Sequence, residues 1–165
     1  MSSPSRGMVT RAQRILDGYR DHPRMTPTRW ANLQQSVNDY LAGRETTSAV
    51  PYSLFVEASS HCNLRCPLCP TGAGQLQRPA QSLDFATFEK LIAELADRII
   101  EVHFAFFGEP MINRRLEEMV ALAARANLDT RLMTNATMLT QSRALDLVTA
   151  GLQRVTVSAD AFEQE

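Results

Sequence analysis

The sequence predicts an α/β fold with a parallel sheet, an open or closed barrel, and three observations carry that expectation. From Pro51 onward, short β-branched or aromatic runs alternate with amphipathic helical patterns, the order of repeated β/α units. Residues that suit helix caps stand before each helical pattern. The unusual polar residues fall just after the strands, where parallel β/α folds place their sites.

Four strands are read at residues 52–58, 101–106, 130–134 and 154–158. Helices at 85–97, 114–126 and 141–150 lie between them, with Asp84, Asn113 and Thr140 as N-caps and Gly151 as the stop of the third. Strands joined by crossover helices run parallel, and the crossovers share one hand, so the sheet curls one way. Residues 70–83, rich in Gly, Pro and Gln, are too long for an ordinary β/α connection and read as a functional or mobile loop.

Residues 1–50 differ: helical patterns separated by His22-Pro23 and Thr26-Pro27, with no strand signal. Trp30, Leu33, Val37, Tyr40 and Leu41 recur at helical spacing, which predicts one amphipathic helix after Pro27 that ends near Gly43 and packs on a core. The chain therefore divides into an N-terminal helical extension, 1–50, and a β/α region, 51–165.

With 44% hydrophobic and 21% charged residues over 165, the composition is that of an ordinary soluble domain. The net charge of -1, from interspersed acidic and basic residues, offers no basic surface for nucleic acid. No run is long enough to span a membrane, and the polar start lacks the apolar core of a secretory signal, so the cytoplasm is the expected compartment.

All three cysteines, Cys62, Cys66 and Cys69, follow the first strand within one short window. A disulfide would leave an odd thiol and suits a secreted chain, so metal binding is the better reading. Thiolates select zinc or iron–sulfur clusters. Zinc wants four ligands, which here requires His61 or another histidine. A four-iron cubane on three cysteines keeps one iron open to a substrate. Unligated thiols remain a third reading.

Phe107-Gly108-Glu109-Pro110, Asn135-Ala136-Thr137 and Ser158-Ala159-Asp160 follow the second, third and fourth strands, so four loops converge on one mouth. Each group also has an ordinary role open to it: Gly108 and Pro110 as turn formers, Glu109 as a solvated charge, Asn135 as a turn residue, Ser158 and Asp160 as helix caps. Their joint placement beside three cysteines favours a site.

The C-x3-C-x2-C spacing, Gly-Glu-Pro after the second strand, Thr134-Asn135 and Ser158-Ala159-Asp160 together resemble the radical S-adenosylmethionine superfamily, from about Tyr52 to Asp160. The likeness is to members that modify peptides or proteins or join small metabolites. It implies a partial (β/α) barrel, a [4Fe–4S] cluster on Cys62, Cys66 and Cys69, and S-adenosylmethionine on the open iron. It further implies that Gly108 and Glu109 hold the methionine amine, with Asn135, Ser158 and Asp160 as candidates for the ribose and carboxylate. The family reaction is reductive cleavage of the cofactor to a 5′-deoxyadenosyl radical that abstracts hydrogen from a substrate, here unknown with a peptide among the candidates, and a flavodoxin- or ferredoxin-like protein is the implied reductant. Residues 70–83 would then serve as a lid.

The chain departs from the family in having Leu68 where an aromatic is common and Phe107 where many relatives have glycine. Only five residues follow Asp160. Four strands leave an unpaired edge at 154–158, so the expected barrel is truncated, and further strands are expected from a continuing chain or from another chain. Two other functions stay open: a non-catalytic zinc- or cluster-binding module, and a degenerate scaffold that partners another chain.

Overall fold

A computed structural model of the chain describes residues 4–159. Ten elements follow one another as α1 (Arg6–Arg20), α2 (Pro27–Leu41), β1 (Ser53–Val56), α3 (Phe85–Leu95), β2 (Glu101–Phe104), a 3-10 turn (Pro110–Ile112), α4 (Leu116–Arg125), β3 (Asp129–Thr134), α5 (Gln141–Thr149) and β4 (Arg154–Val157). The strands lie in the order β1-β2-β3-β4, every pair parallel, as the alternation of strand and helix requires. Among the described residues no helix is long and apolar enough to cross a membrane.

Period-two alternation sorts the strand residues onto two faces. Val56, Val102, Phe104 and Leu132 point to one side and form the main core with Phe88 and Ile92 of α3, Met119 and Val120 of α4 and Leu147 of α5. The residues between them, Phe55, His103, Arg131 and Met133, face away from α3, α4 and α5. On the core side of β4, Val155 and Val157 remain 43% and 51% exposed, because β4 pairs only with β3 among the described residues.

Two boundaries differ from expectation for local reasons. β2 stops at Phe104, since Phe106 has φ 108°, a left-handed value that ends the pleat. Asn113 does not cap α4, whose N-cap position is Arg115 with no side-chain hydrogen bond. A 3-10 turn intervenes, and the Asn113 Oδ1 accepts from Arg115 N at 2.9 Å, just ahead of the helix, while its Nδ2 donates across the fold to the Ala58 and Leu83 carbonyls at 2.8 and 2.9 Å. Asp84 and Thr140 do cap α3 and α5, each accepting from a backbone amide three residues on.

The extension is bound to the amino-terminal end of the sheet. Ala12, Leu33 and Val37 form a second core with Ile100, the residue that leads into β2. Arg29, 3% exposed, donates to the carbonyls of Ala96, Ala126 and Asn127 at 2.7, 3.1 and 2.8 Å, closing the last turns of α3 and α4, and also to Arg24 in its own segment. Asn32 exchanges hydrogen bonds with Val50 and donates to the Arg98 carbonyl. Replacing Arg29 with Met strands these carbonyls and should lower stability by about 3 kcal/mol, read from urea unfolding.

Glu101 forms the floor of the sheet beside this cap. Tyr19 donates to it at 2.7 Å, and Arg131 Nη2 and His103 Nε2 lie 2.7 and 2.9 Å from its oxygens. Burial opposes its ionisation, yet contacts from His103, Tyr19 and Ser53 outweigh burial and lower its pKa to about 2 from the ordinary 4.5. A depressed carboxylate stabilises fully above its unfolded value and loses that contribution as pH falls through the folded one. Glu101→Gln should therefore unfold more readily than the parent at pH 7, and the gap should close between pH 4.5 and about 2 in urea titrations at stepped pH.

Candidate cofactor site

The segment after β1 leaves the sheet at Ala58 and returns at Leu83, whose amide donates to the Ala58 carbonyl at 3.0 Å. An antiparallel bridge between Ser59 and Ser82, reciprocal Ser60–Gln81 hydrogen bonds and an Arg78–Glu57 ion pair close its base. Residues 59–82 are thus one pinned excursion that contains the three cysteines and most of the loop expected to act as a lid.

Within it the chain doubles back: Cys69 N donates to Cys66 O at 3.1 Å, and Ala73 N to Cys69 O at 2.8 Å. Gly72 passes so close to Cys66 that a Cβ there would stand 2.6 Å from its nitrogen, so only glycine fits. The Gly72 amide, helped by that of Thr71, holds the Cys69 thiol below its ordinary range, while burial works the other way. Such donors favour the thiolate, the form that ligates metal.

The loop after β2 crosses this excursion. Gly108, at φ +82°, lies against the Ser59 carbonyl, where a Cβ would come within 2.0 Å, and Glu109 N donates to the His61 carbonyl at 2.7 Å. Gly108 therefore has a packing reason to be glycine, and any contact it makes with a ligand runs through its backbone.

Glu109 is not a solvated charge; it is 1% exposed. Its Oε1 accepts from Met111 N at 3.0 Å and Thr134 Oγ1 at 2.6 Å, and its Oε2 from Asn135 N at 2.9 Å. One carboxylate thereby ties the β2 loop to the end of β3. Asn135 reaches the cysteine excursion in turn, its amide 3.0 Å from Asn63 Oδ1 and 3.9 Å from Cys62 Sγ, while Asn63 donates to Thr137 at 2.6 Å. Ser158 N donates to the Thr134 carbonyl at 2.9 Å.

These contacts surround a cavity of about 190 Å³ lined by Cys62, Cys66, Cys69, Glu109, Asn135 and Ser158, among others. The four loops expected to converge do so. Asp160 lies outside the described residues. Sequence reasoning missed Gly72 and Asn63, and it missed Phe106, a residue 70% exposed on the cavity wall. The Phe106 backbone is strained there, a feature of φ that no residue pattern announces.

The family model described as Radical SAM superfamily matches residues 56–165. This chain belongs to the radical SAM superfamily. Among curated relatives, it is 34% identical over 119 residues to the PqqA peptide cyclase of Bradyrhizobium diazoefficiens, a match covering 72% of this chain and 31% of that protein. It is 38% identical over 124 residues to the GTP 3',8-cyclase of Mycobacterium ulcerans, covering 67% and 32%. The chain thus spans about a third of the length of the curated relatives it matches. Among solved structures, BtrN in complex with AdoMet and 2-DOIA superposes with a TM-score of 0.57 at 25% identity, over 66% of this chain and 45% of that one. Streptococcus suis SuiB bound to S-adenosylmethionine superposes at 0.54 and 16% identity, over 90% and 34%, a likeness of fold alone.

The cofactors of the radical SAM superfamily are a [4Fe–4S] cluster and S-adenosylmethionine, and the residues present fit them. Three soft donors line one cavity, one of them held toward its thiolate. Zinc fits less well: of the histidines expected to supply a fourth ligand, His61 is exposed and lines a neighbouring cavity that it shares with Cys62, while His22 and His103 lie beside Asp129 and Glu101. Among the described residues no three His, Cys, Asp or Glu side chains are grouped to hold one metal ion, the grouping a structural zinc requires. A cubane takes its cysteines on separate irons.

The Glu109 carboxylate should behave as a tie between loops. Glu109→Ala strands three donors, and since hydrogen bonds to a charged group are worth about 1.5–3 kcal/mol, the loss of stability should exceed about 3 kcal/mol in denaturant titrations. Amide exchange at Met111 and Asn135 should rise in the same variant.

Proposed function

We propose that this chain performs the radical-generating chemistry of its superfamily, with Cys62, Cys66 and Cys69 holding the [4Fe–4S] cluster and the strand-end loops holding S-adenosylmethionine beside it. The observation that carries the reading is the convergence of four loops on the cysteine cavity, tied together through Glu109 and Asn135. When bound, the cofactor pair supplies one-electron cleavage of the sulfonium to a 5′-deoxyadenosyl radical that abstracts hydrogen from substrate.

The chain's own residues prepare the ground for it. The Gly108 backbone reaches the cavity because no side chain intervenes, and it is our candidate for the methionine amine. Asn135, Ser158 and Asp160 are our candidates for the ribose and carboxylate. Glu109 aligns these loops through its three hydrogen bonds, a positioning role beside any contact with the amine. The pinned excursion 59–82 screens one side of the cavity from water.

A peptide is the substrate class we favour, on the similarity to proteins named PqqA peptide cyclase. A flavodoxin- or ferredoxin-like protein would supply the electron, in the reducing cytoplasm that three thiols require. The exposed Val155 and Val157 support further strands along β4, from the same chain or another.

Anaerobic reconstitution should yield about four irons and four sulfides per chain. Replacing Cys62, Cys66 and Cys69 together with Ala should remove them, measured by metal analysis and the visible spectrum. With reductant and S-adenosylmethionine, the protein extended along β4 should release 5′-deoxyadenosine. A cubane retained in the triple variant overturns the ligand assignment. Cofactor left uncleaved by a fully loaded, extended protein supports the scaffold reading in its place.

A further inference from the structure

The face of the sheet turned away from α3, α4 and α5 carries a rung that the proposed function leaves unused. Parallel register sets Phe55 opposite His103, His103 opposite Arg131, and Arg131 opposite Arg154, one residue from each strand at one height. The Phe55 and His103 rings stack, with centroids 4.4 Å apart and planes 19° from parallel. Together with Met133 and Thr156 these residues line a cavity of about 300 Å³. Met133 also lines the cysteine cavity, so the two hollows adjoin.

The charges on this face are ordered by height. The anions lie one rung lower and are covered, Glu101 and Asp129 having side chains 4% and 11% exposed. Arg131 is committed to both, at 2.7 Å from each. His22 of the extension adds a second contact to Asp129 at 3.4 Å. Arg154 is exposed and has no carboxylate within ion-pair distance among the described residues. An entering molecule therefore meets a guanidinium and an apolar wall of Phe55, 58% exposed, and Met133, 46% exposed, before it meets any anion.

We propose that this rung is a substrate subsite for an organic carboxylate attached to an apolar or aromatic group, with Arg154 taking the carboxylate and Phe55 and Met133 flanking the apolar part. The inference rests on the reading of the chain as a radical SAM enzyme and names the substrate class for it. A guanidinium offers a planar fork that matches a carboxylate, and a half-enclosed wall strengthens the pairing by excluding water. Ser158 lies four positions beyond Arg154, about 13 Å along a strand, so a molecule reaching both cavities is extended, as a peptide is.

The carboxylate can come from a chain terminus or from an acidic side chain, and two probes separate these sources. N-acetylphenylalanine carries the first and N-acetyl-aspartyl-phenylalaninamide the second, with neutral N-acetylphenylalaninamide as control. Binding is followed by NMR titration of the protein without cluster or S-adenosylmethionine. At least one acid should bind ten times or more tightly than the neutral amide, the tighter acid naming the source. Arg154→Gln should remove that preference and leave the amide's affinity unchanged, and Arg154→Lys should restore it in part. Phe55→Leu should weaken acid and amide alike. Equal affinity for acids and amide, or a preference that survives Arg154→Gln, overturns the proposal. Since no cofactor takes part, carboxylate selection without cofactor cleavage would count against the radical chemistry alone, and cleavage without selection against the subsite alone.

Discussion

Glu109 is the residue on which the arrangement of the site depends. A carboxylate excluded from water must have its charge answered by donors, and Glu109 collects them from its own loop at Met111 and from β3 at Thr134 and Asn135. Because Asn135 then reaches Asn63 and approaches Cys62, the position of the cysteine excursion is coupled to a charge buried in the loop after the next strand. Two of these loops also share one backbone hydrogen bond, Glu109 N to the His61 carbonyl, and the third is held to them through these side chains.

Such a tie works only if the strands beneath it are in register, and the register is anchored at the opposite end of the sheet. There the extension supplies Arg29, whose guanidinium answers helix-end carbonyls and not a carboxylate, together with Asn32 and the apolar contacts around Ile100. The amino-terminal ends of the strands are closed by helices α1 and α2, and the carboxyl ends are left free for loops. Chemistry and scaffold are separated along the strand axis, the division expected of parallel β/α folds.

Much of this was legible in advance. The period of the apolar residues changes at Pro51, which places the extension and the strands, and parallel pairing follows from the helices between them. The three cysteines and the polar groups after each strand identify the site because parallel strands all end on the same side. What was misread was local. Asn113 suits a cap by residue type, yet its Oδ1 accepts from Arg115 N, one position before α4 begins, and its Nδ2 serves Ala58 and Leu83, distant in sequence. Glu109 had a solvated reading because a lone glutamate in a turn usually is solvated, and two of its three donors come from the end of another strand.

The amino-acid sequence by itself determined the element order, the parallel sheet, the clustering of three cysteines and the end of the sheet that carries them, since periodicity, spacing and chain direction are one-dimensional properties. Tertiary structure alone decided which residues touch across strands: that Gly72 and Gly108 are glycines because backbone passes against them, that Glu109 is a tie, and that Phe55, His103, Arg131 and Arg154 share a rung. The physical reason is register, which is fixed by the packing of every strand against its neighbours and is written in no single segment of the chain.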